Sequence, residues 1–170
     1  MTQHIPSPLA RFARHLFHPD WLSRRAFPRH VLESITGAVS ASEQGHSGEI
    51  RFVVEGALHP LQLWRGMTAR DRAAQVFSDL RVWDTEANNG VLIYLLLADR
   101  DVEILADRGL TGRVSVQDWE TVCREMEAHF RAGAFERGAL AGIAHVDALQ
   151  RAHFPAGPNP NELPDAPALI

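Results

Sequence analysis

Residues 88–110, "NNGVLIYLLLADRDVEILADRGL", decide the fold. The run from Val91 to Ala98 is apolar on both faces, which is typical of a strand in the middle of a covered sheet. Asp99-Arg100 then forms a short polar turn, and a further strand follows over 102–107. The stretch therefore predicts an antiparallel hairpin with one central strand.

Another strand precedes the hairpin at Glu49–Glu55, where Ile50, Phe52 and Val54 alternate with residues of the other face. Between this strand and the hairpin, Thr68 and Asp71 have the spacing of a helix-capping box, and helical periodicity continues to residue 80. A strand–helix–strand order predicts parallel pairing of the two strands. Because the hairpin adds an antiparallel strand, the predicted sheet is mixed.

Helical spacing predicts four more helices. They are a short amphipathic helix between Pro8 and Pro19, a helix over about 28–43, a helix between Ser115 and Gly133, and a helix over about 135–152. The predicted fold class is a three-layer α/β/α sandwich, with helices on both faces of the sheet. The predicted organisation is a basic N-terminal arm (1–27), an α/β domain (28–154) and a Pro-rich tail (155–170) that is extended or disordered.

Composition narrows the class of protein. The chain has 170 residues, 45% hydrophobic and 22% charged, as expected for one globular domain. Its longest apolar run is far shorter than the roughly 20 residues of a membrane span. A single cysteine, Cys123, excludes an internal disulfide, and the absence of lysine excludes both a phosphate-binding loop lysine and Schiff-base catalysis. The first residues lack the apolar stretch of a secretory signal, so we expect a cytoplasmic location.

Charge is distributed unevenly along the chain. Residues 1–30 carry five arginines and one aspartate, a sum of +4, whereas the whole chain sums to −4. The arginines of this basic arm are Arg11, Arg14, Arg24, Arg25 and Arg29. The arm either binds a partner surface, such as anionic lipid, or packs on its own acidic body. Nucleic acid is a poorer partner, because the acidic body would repel phosphates.

The predicted topology sorts the acidic residues into two groups. The starts of the two parallel strands and the end of the third share one end of the sheet, which brings together Asp84, Glu86, Asn88, Asn89, Asp107 and Arg108. Glu55, Asp99 and Asp101 lie at the opposite end. Oxygen-rich clusters suit Ca²⁺ or Mg²⁺, whereas acids and Asn-Gly at strand ends are usually solvated turns. Similarly, Trp83 is either a lid or a core residue, and Arg108 pairs with Asp107 or receives a substrate phosphate.

The chain resembles the TPM domain family over about residues 28–153. The shared pattern is Asn-Gly entering an apolar strand, an Asp-Arg hairpin, an exiting Gly-Leu, and "FRAGAFERG" at Phe130–Gly138. The resemblance implies a helix-flanked mixed sheet, acid phosphatase activity, and calcium binding in some members. It also points to a bacterial branch often labelled as membrane proteins, with a membrane-anchored TPM protein or a LemA-type protein as the implied partner.

The chain departs from the better-known branch at three acidic positions. Asn88 stands where that branch has Asp before Asn-Gly, and the other two places hold Val114-Ser115 and Arg24-Arg25-Ala26. Losing carboxylates lowers the affinity of such a site for a divalent cation.

Two functions follow for this sequence. The first is a cytoplasmic binding or adaptor module, peripheral at the inner membrane and associated with a membrane partner through the basic arm. The alternative is a Ca²⁺- or Mg²⁺-dependent acid-phosphatase-like hydrolase. Its expected metal ligands are Asp84, Glu86, Asn88 and Asp107, and Trp83, Asn89 and Arg108 are the expected ligand-binding residues. No catalytic nucleophile is assigned.

Overall fold

The computed structural model describes residues 8–157 and 160–170. Seven α-helices and four strands occur in this part of the chain. In chain order they are α1 (Pro8–Leu16), α2 (Asp20–Ala26), α3 (Arg29–Glu43), β1 (Glu49–Glu55), α4 (Pro60–Trp64), α5 (Ala69–Asp79), β2 (Gly90–Leu96), β3 (Asp101–Ala106), α6 (Val116–Arg131), α7 (Phe135–His153) and β4 (Ala168–Leu169).

The four strands form one mixed sheet in the order β3-β2-β1-β4. β1 and β2 are parallel, with Glu49 opposite Gly90, whereas β2 and β3 are antiparallel, with Val91 opposite Ala106. The starts of β1 and β2 and the end of β3 therefore share one end of the sheet, as the sequence predicts. The hairpin turn at Asp99 lies at the other end.

Helices cover both faces of the sheet, which confirms the predicted α/β sandwich. One core joins Ile50, Ile93 and their face of the sheet to α3, α6 and α7. The second core joins Val53, Leu92 and Tyr94 to α5. Every residue of β1 and β2 is buried, because both faces of these strands are covered.

The C-terminal tail, predicted as extended or disordered, lies extended along β1 over residues 160–170. β4 pairs in parallel with β1, and Leu163 is buried in the second core. The Arg51 guanidinium donates hydrogen bonds to the carbonyl oxygens of Pro164 and Ala166. The tail therefore covers the sheet edge that β1 would otherwise expose.

Across residues 8–157 and 160–170, no helix combines the length and the apolar character needed to cross a bilayer.

Candidate functional site

The loop that enters β2 is tied to the end of β3 by hydrogen bonds. Arg108 Nε donates to Asn88 Oδ1 at 2.6 Å, and the Gly109 amide donates to the Asn88 carbonyl at 2.8 Å. Asn88 has φ +52°, a left-handed conformation that Asn adopts more readily than most residues. The predicted ligand Asn88 thus already uses its side-chain oxygen, and the Arg108 guanidinium contacts Asn88.

Asn89 ties three segments together. Its amide donates to Thr85 Oγ1, its Nδ2 donates to the Ser47 carbonyl at 2.6 Å, and its carbonyl accepts from Gln150 Nε2 at 2.7 Å. Asn89 and Gln150 are fully buried, and the side-chain oxygen of each has no hydrogen-bond partner among the described residues. The contacts give Asn89 a structural role in joining α7 to the start of β1.

The acidic residues of this end do not form one ligand shell. Asp84 and Glu86 are exposed on the loop, and the Glu86 amide donates to the Glu162 carboxylate from the tail. Asp107 is buried; its Oδ1 accepts from the Arg108 amide at 2.7 Å, and its Oδ2 has no partner in the described chain. Within residues 8–157 and 160–170, no three His, Cys, Asp or Glu side chains are grouped as metal ligands.

Trp83 lies at the same end of the sheet and is 47% exposed. About half of its surface is therefore in contact with solvent, so Trp83 is not a buried core residue in the way that the neighbouring Val82 is.

A second polar group at this end was not predicted from the sequence. Glu43 accepts from the Ile50 amide, and the fully buried Glu49 accepts from the Leu163 amide. Burial raises the pKa of Glu43 to about 8, opposed by the Ile50 hydrogen bond and reinforced by Glu49 and Asp165. The only signal in the sequence was the presence of Glu49 and Arg51 in a strand whose neighbours are apolar.

At the opposite end of the sheet, Asp99 holds α1 against the body. Arg11 Nε and Arg14 Nη2 donate to its carboxylate at 2.8 and 3.1 Å, and His15 Nε2 lies 3.1 Å from it. The buried His15 also accepts the Leu58 amide on Nδ1 at 2.9 Å. Two arginines of the basic arm therefore bind the chain's own body, which is one of the two alternatives that the sequence left open.

Most of the apolar side of α1 faces solvent, although Phe12 is half-buried. Leu9, Ala13, Leu16 and Phe17 recur at helical spacing, and all four are exposed, Leu9 by 83% and Phe17 by 76%. Trp21, in the first turn of α2, is 58% exposed. An amphipathic helix normally packs its apolar stripe inward, so α1 has the reverse orientation and leaves an apolar face uncovered in the described chain.

The remaining arginines of the basic arm follow α1 along the chain, in α2 and at the start of α3, and Arg25 lines one cleft with Phe17. Arg24 and Arg25 lie in the last turn of α2, are exposed, and their side chains make no hydrogen bond or ion pair with another described residue. Arg29 is exposed and pairs only with Glu33 of its own helix, in the part of the chain that is described. We call Leu9, Leu16, Phe17, Trp21 and these three arginines the N-terminal face.

A family model described as the TPM domain matches residues 26–149. Among solved structures, the chain is similar to the BA42 protein of the psychrophilic bacterium Bizionia argentinensis, with 29% identity and a TM-score of 0.73 over 83% of this chain and 93% of that one. It is also similar in fold to the N-terminal domain of a P. gingivalis protein, with 20% identity and a TM-score of 0.60 over 76% and 82% of the two chains. The comparison with curated proteins gives no match.

Proposed function

This chain belongs to the TPM domain family, and we propose that it is a binding module that docks on an anionic membrane surface through the N-terminal face. The orientation of α1 carries the proposal. Its cationic side is held by Asp99, while Leu9, Leu16 and Phe17 face outward.

The chemistry of the N-terminal face is that of a helix lying in a membrane interface. Such helices place Leu, Phe and Trp in the boundary between headgroups and acyl chains, with arginines beside them. Each arginine close to an anionic bilayer contributes about 1 kcal/mol of attraction. Arg24 and Arg25 are available for this contact because they have no partner in the described chain.

The proposed location is peripheral, on the cytoplasmic side of an inner membrane. The family resemblance adds a membrane-anchored TPM protein or a LemA-type protein as the proposed partner at that surface. Docking on the bilayer would bring the chain into the plane where such a protein is anchored.

Vesicle co-sedimentation tests the proposal. The full chain should sediment with vesicles that contain phosphatidylglycerol and remain in solution with phosphatidylcholine vesicles. Trp21→Ala should weaken the partitioning about tenfold, since it removes a large interfacial side chain. Trp83→Ala is the matched control, because Trp83 is similarly exposed at the other end of the sheet.

An equal loss in the two tryptophan variants would contradict docking through the N-terminal face. Equal binding to phosphatidylglycerol and phosphatidylcholine would contradict the role given to the arginines.

A divalent-metal-dependent hydrolase of phosphoesters is the second candidate, and it rests on Asp107. This carboxylate is buried at the end of β3 and keeps Oδ2 without a partner among the described residues. Asp107 would be the first ligand of Ca²⁺ or Mg²⁺, and the exposed Asp84 and Glu86 could join only by a movement of their loop. Calorimetric titration of each metal tests it: binding that Asp107→Asn abolishes supports the site, and no heat at millimolar metal refutes it.

A further inference from the structure

A cleft of about 740 Å³ lies where the carboxyl end of β2 meets the N-terminal helices. Leu97 and Ala98, which follow β2, line it together with Leu22 of α2 and Phe135 of α7. Crevices outside the carboxyl ends of strands are common ligand sites in sheets of this kind. The cleft is at the opposite end of the sheet from Asp84 and Asp107.

The charged side chains that line this cleft are arginines. Arg14, Arg25 and Arg100 line it with His18, and no acidic side chain does. The Arg14 guanidinium pairs with Asp99, whereas the guanidinium groups of Arg25 and Arg100 have no hydrogen bond or ion pair with any described residue. Burial, and then the charge of His15, lowers the pKa of His18, as expected where further positive charge is unfavourable.

Arg100 is held in a strained backbone conformation. Its φ is +53° in the hairpin turn, where its amide donates to the Leu97 carbonyl at 3.1 Å. Glycine or asparagine adopts such a conformation at lower cost. Strain of this kind at a non-glycine residue is often found where a side chain has a binding role.

We propose that this cleft binds a phosphate-bearing amphiphile, with its anionic head on Arg25 and Arg100 and its apolar part against Leu22, Leu97 and Phe135. Guanidinium groups suit a phosphate because they donate two parallel hydrogen bonds to its oxygens. The apolar walls distinguish such a ligand from a free inorganic anion. The inference rests on the proposed docking, because Phe17 and Arg25 belong both to the cleft and to the N-terminal face.

The test uses soluble ligands and no bilayer, so that it is separate from vesicle docking. Dihexanoyl phosphatidylglycerol below its micelle concentration is titrated into the full chain, with dihexanoyl phosphatidylcholine and inorganic phosphate as parallel arms. The phosphatidylglycerol should bind at least about tenfold more tightly than either, since only it offers an apolar part and a net negative head.

The variants have matched controls in the chain. Arg100→Gln should weaken binding about tenfold, while Arg81→Gln, an exposed arginine with the same φ of +53° outside the cleft, should change it less than twofold. Arg25→Gln should behave like Arg100→Gln. Thermal melting of each variant checks that the fold is retained.

Each remaining outcome has a definite meaning. Equal affinity for inorganic phosphate would overturn the amphiphile and leave a simple anion site, and equal affinity for phosphatidylcholine would overturn the role of the arginines. If the soluble lipid does not bind but the chain still sediments with vesicles, the cleft is not the ligand site, and the proposed docking function stands. Loss of both would overturn the two proposals together.

Discussion

Asp99 shows how one side chain sets the orientation of a helix. Burial pushes the pKa of its carboxyl upward, but hydrogen bonds from His15 and Arg11 outweigh burial and hold the pKa below its usual value. The ionised carboxylate therefore attracts the cationic side of α1. Because that side must face the hairpin turn, the apolar side is directed to solvent.

Asp99→Asn should destabilise the folded chain by about 2 kcal/mol, because it leaves Arg11 and Arg14 without a countercharge and removes a carboxylate oxygen 3.1 Å from the buried His15 Nε2. Urea unfolding measures the change in the free energy of unfolding. Glu33→Gln is the control: it removes an exposed ion pair with Arg29, which is expected to contribute less than about 0.5 kcal/mol. Equal effects of the two substitutions would show that Asp99 does not anchor α1.

Glu43 should make stability depend on pH. Its pKa rises from 4.5 to about 8 on folding, so between these values the unfolded chain loses a proton that the folded chain keeps, and stability falls as the pH rises. A shift of one pKa unit corresponds to about 1.4 kcal/mol. Because Glu43 is partly exposed, solvent screening reduces the loss of stability over this pH range to about 2 kcal/mol.

Glu43→Gln should remove this pH dependence, since the amide oxygen still accepts the Ile50 amide. The stability of the variant relative to the native chain should therefore increase from pH 5 to pH 8.5, measured by unfolding at each pH. Parallel pH profiles for the two proteins would refute the raised pKa.

At the scale of elements, the tail 160–170 completes β1. It supplies carbonyl acceptors to the buried Arg51, an amide donor to Glu49, and a strand partner at Val53 and Val54. Proline-rich composition predicts an extended segment but carries no information about where it docks. That information lies in the charges of β1, more than 100 residues earlier in the chain.

Leu163→Ala should cost about 2–3 kcal/mol, because Leu163 is 6% exposed in the second core and its truncation leaves a cavity. Leu169→Ala, at a position of the same tail that is 40% exposed, should cost less than about 1 kcal/mol. The loss at Leu163 should also accelerate hydrogen exchange of the Gly56 amide, which donates to the Ile170 carbonyl. Unchanged exchange at Gly56 would mean that the tail stays docked without Leu163.

Local sequence signals predicted the elements that they control. The alternation of apolar residues predicted β1 over Glu49–Glu55, which are its observed bounds. The capping box of Thr68 and Asp71 marks the start of α5. The short helices α2 and α4 were missed because neither contains a buried residue that would create a periodic pattern. The outward apolar side of α1 depends on Asp99, 88 residues from Arg11, which a local pattern does not contain.

At the scale of the whole molecule, the acidic loop and the N-terminal face lie at opposite ends of the sheet. The acidic loop 84–90 and Asp107 lie where β1 and β2 start, and the cationic cleft and the N-terminal face lie where β2 ends. β2 has seven residues, which places its ends about 20 Å apart. A chain docked by its N-terminal face therefore holds the acidic loop away from the anionic surface, where like charges would repel it.

This separation predicts a polarised footprint on the membrane. Phosphatidylglycerol vesicles should slow hydrogen exchange about tenfold in the segment 9–26 and change it less than twofold in the loop 84–90, since only the first segment enters the interface. Phosphatidylcholine vesicles are the control and should protect neither segment. If hydrogen exchange slows in the loop 84–90 and is unchanged in the segment 9–26, the proposed orientation is wrong, because the acidic end is then the one in contact with lipid.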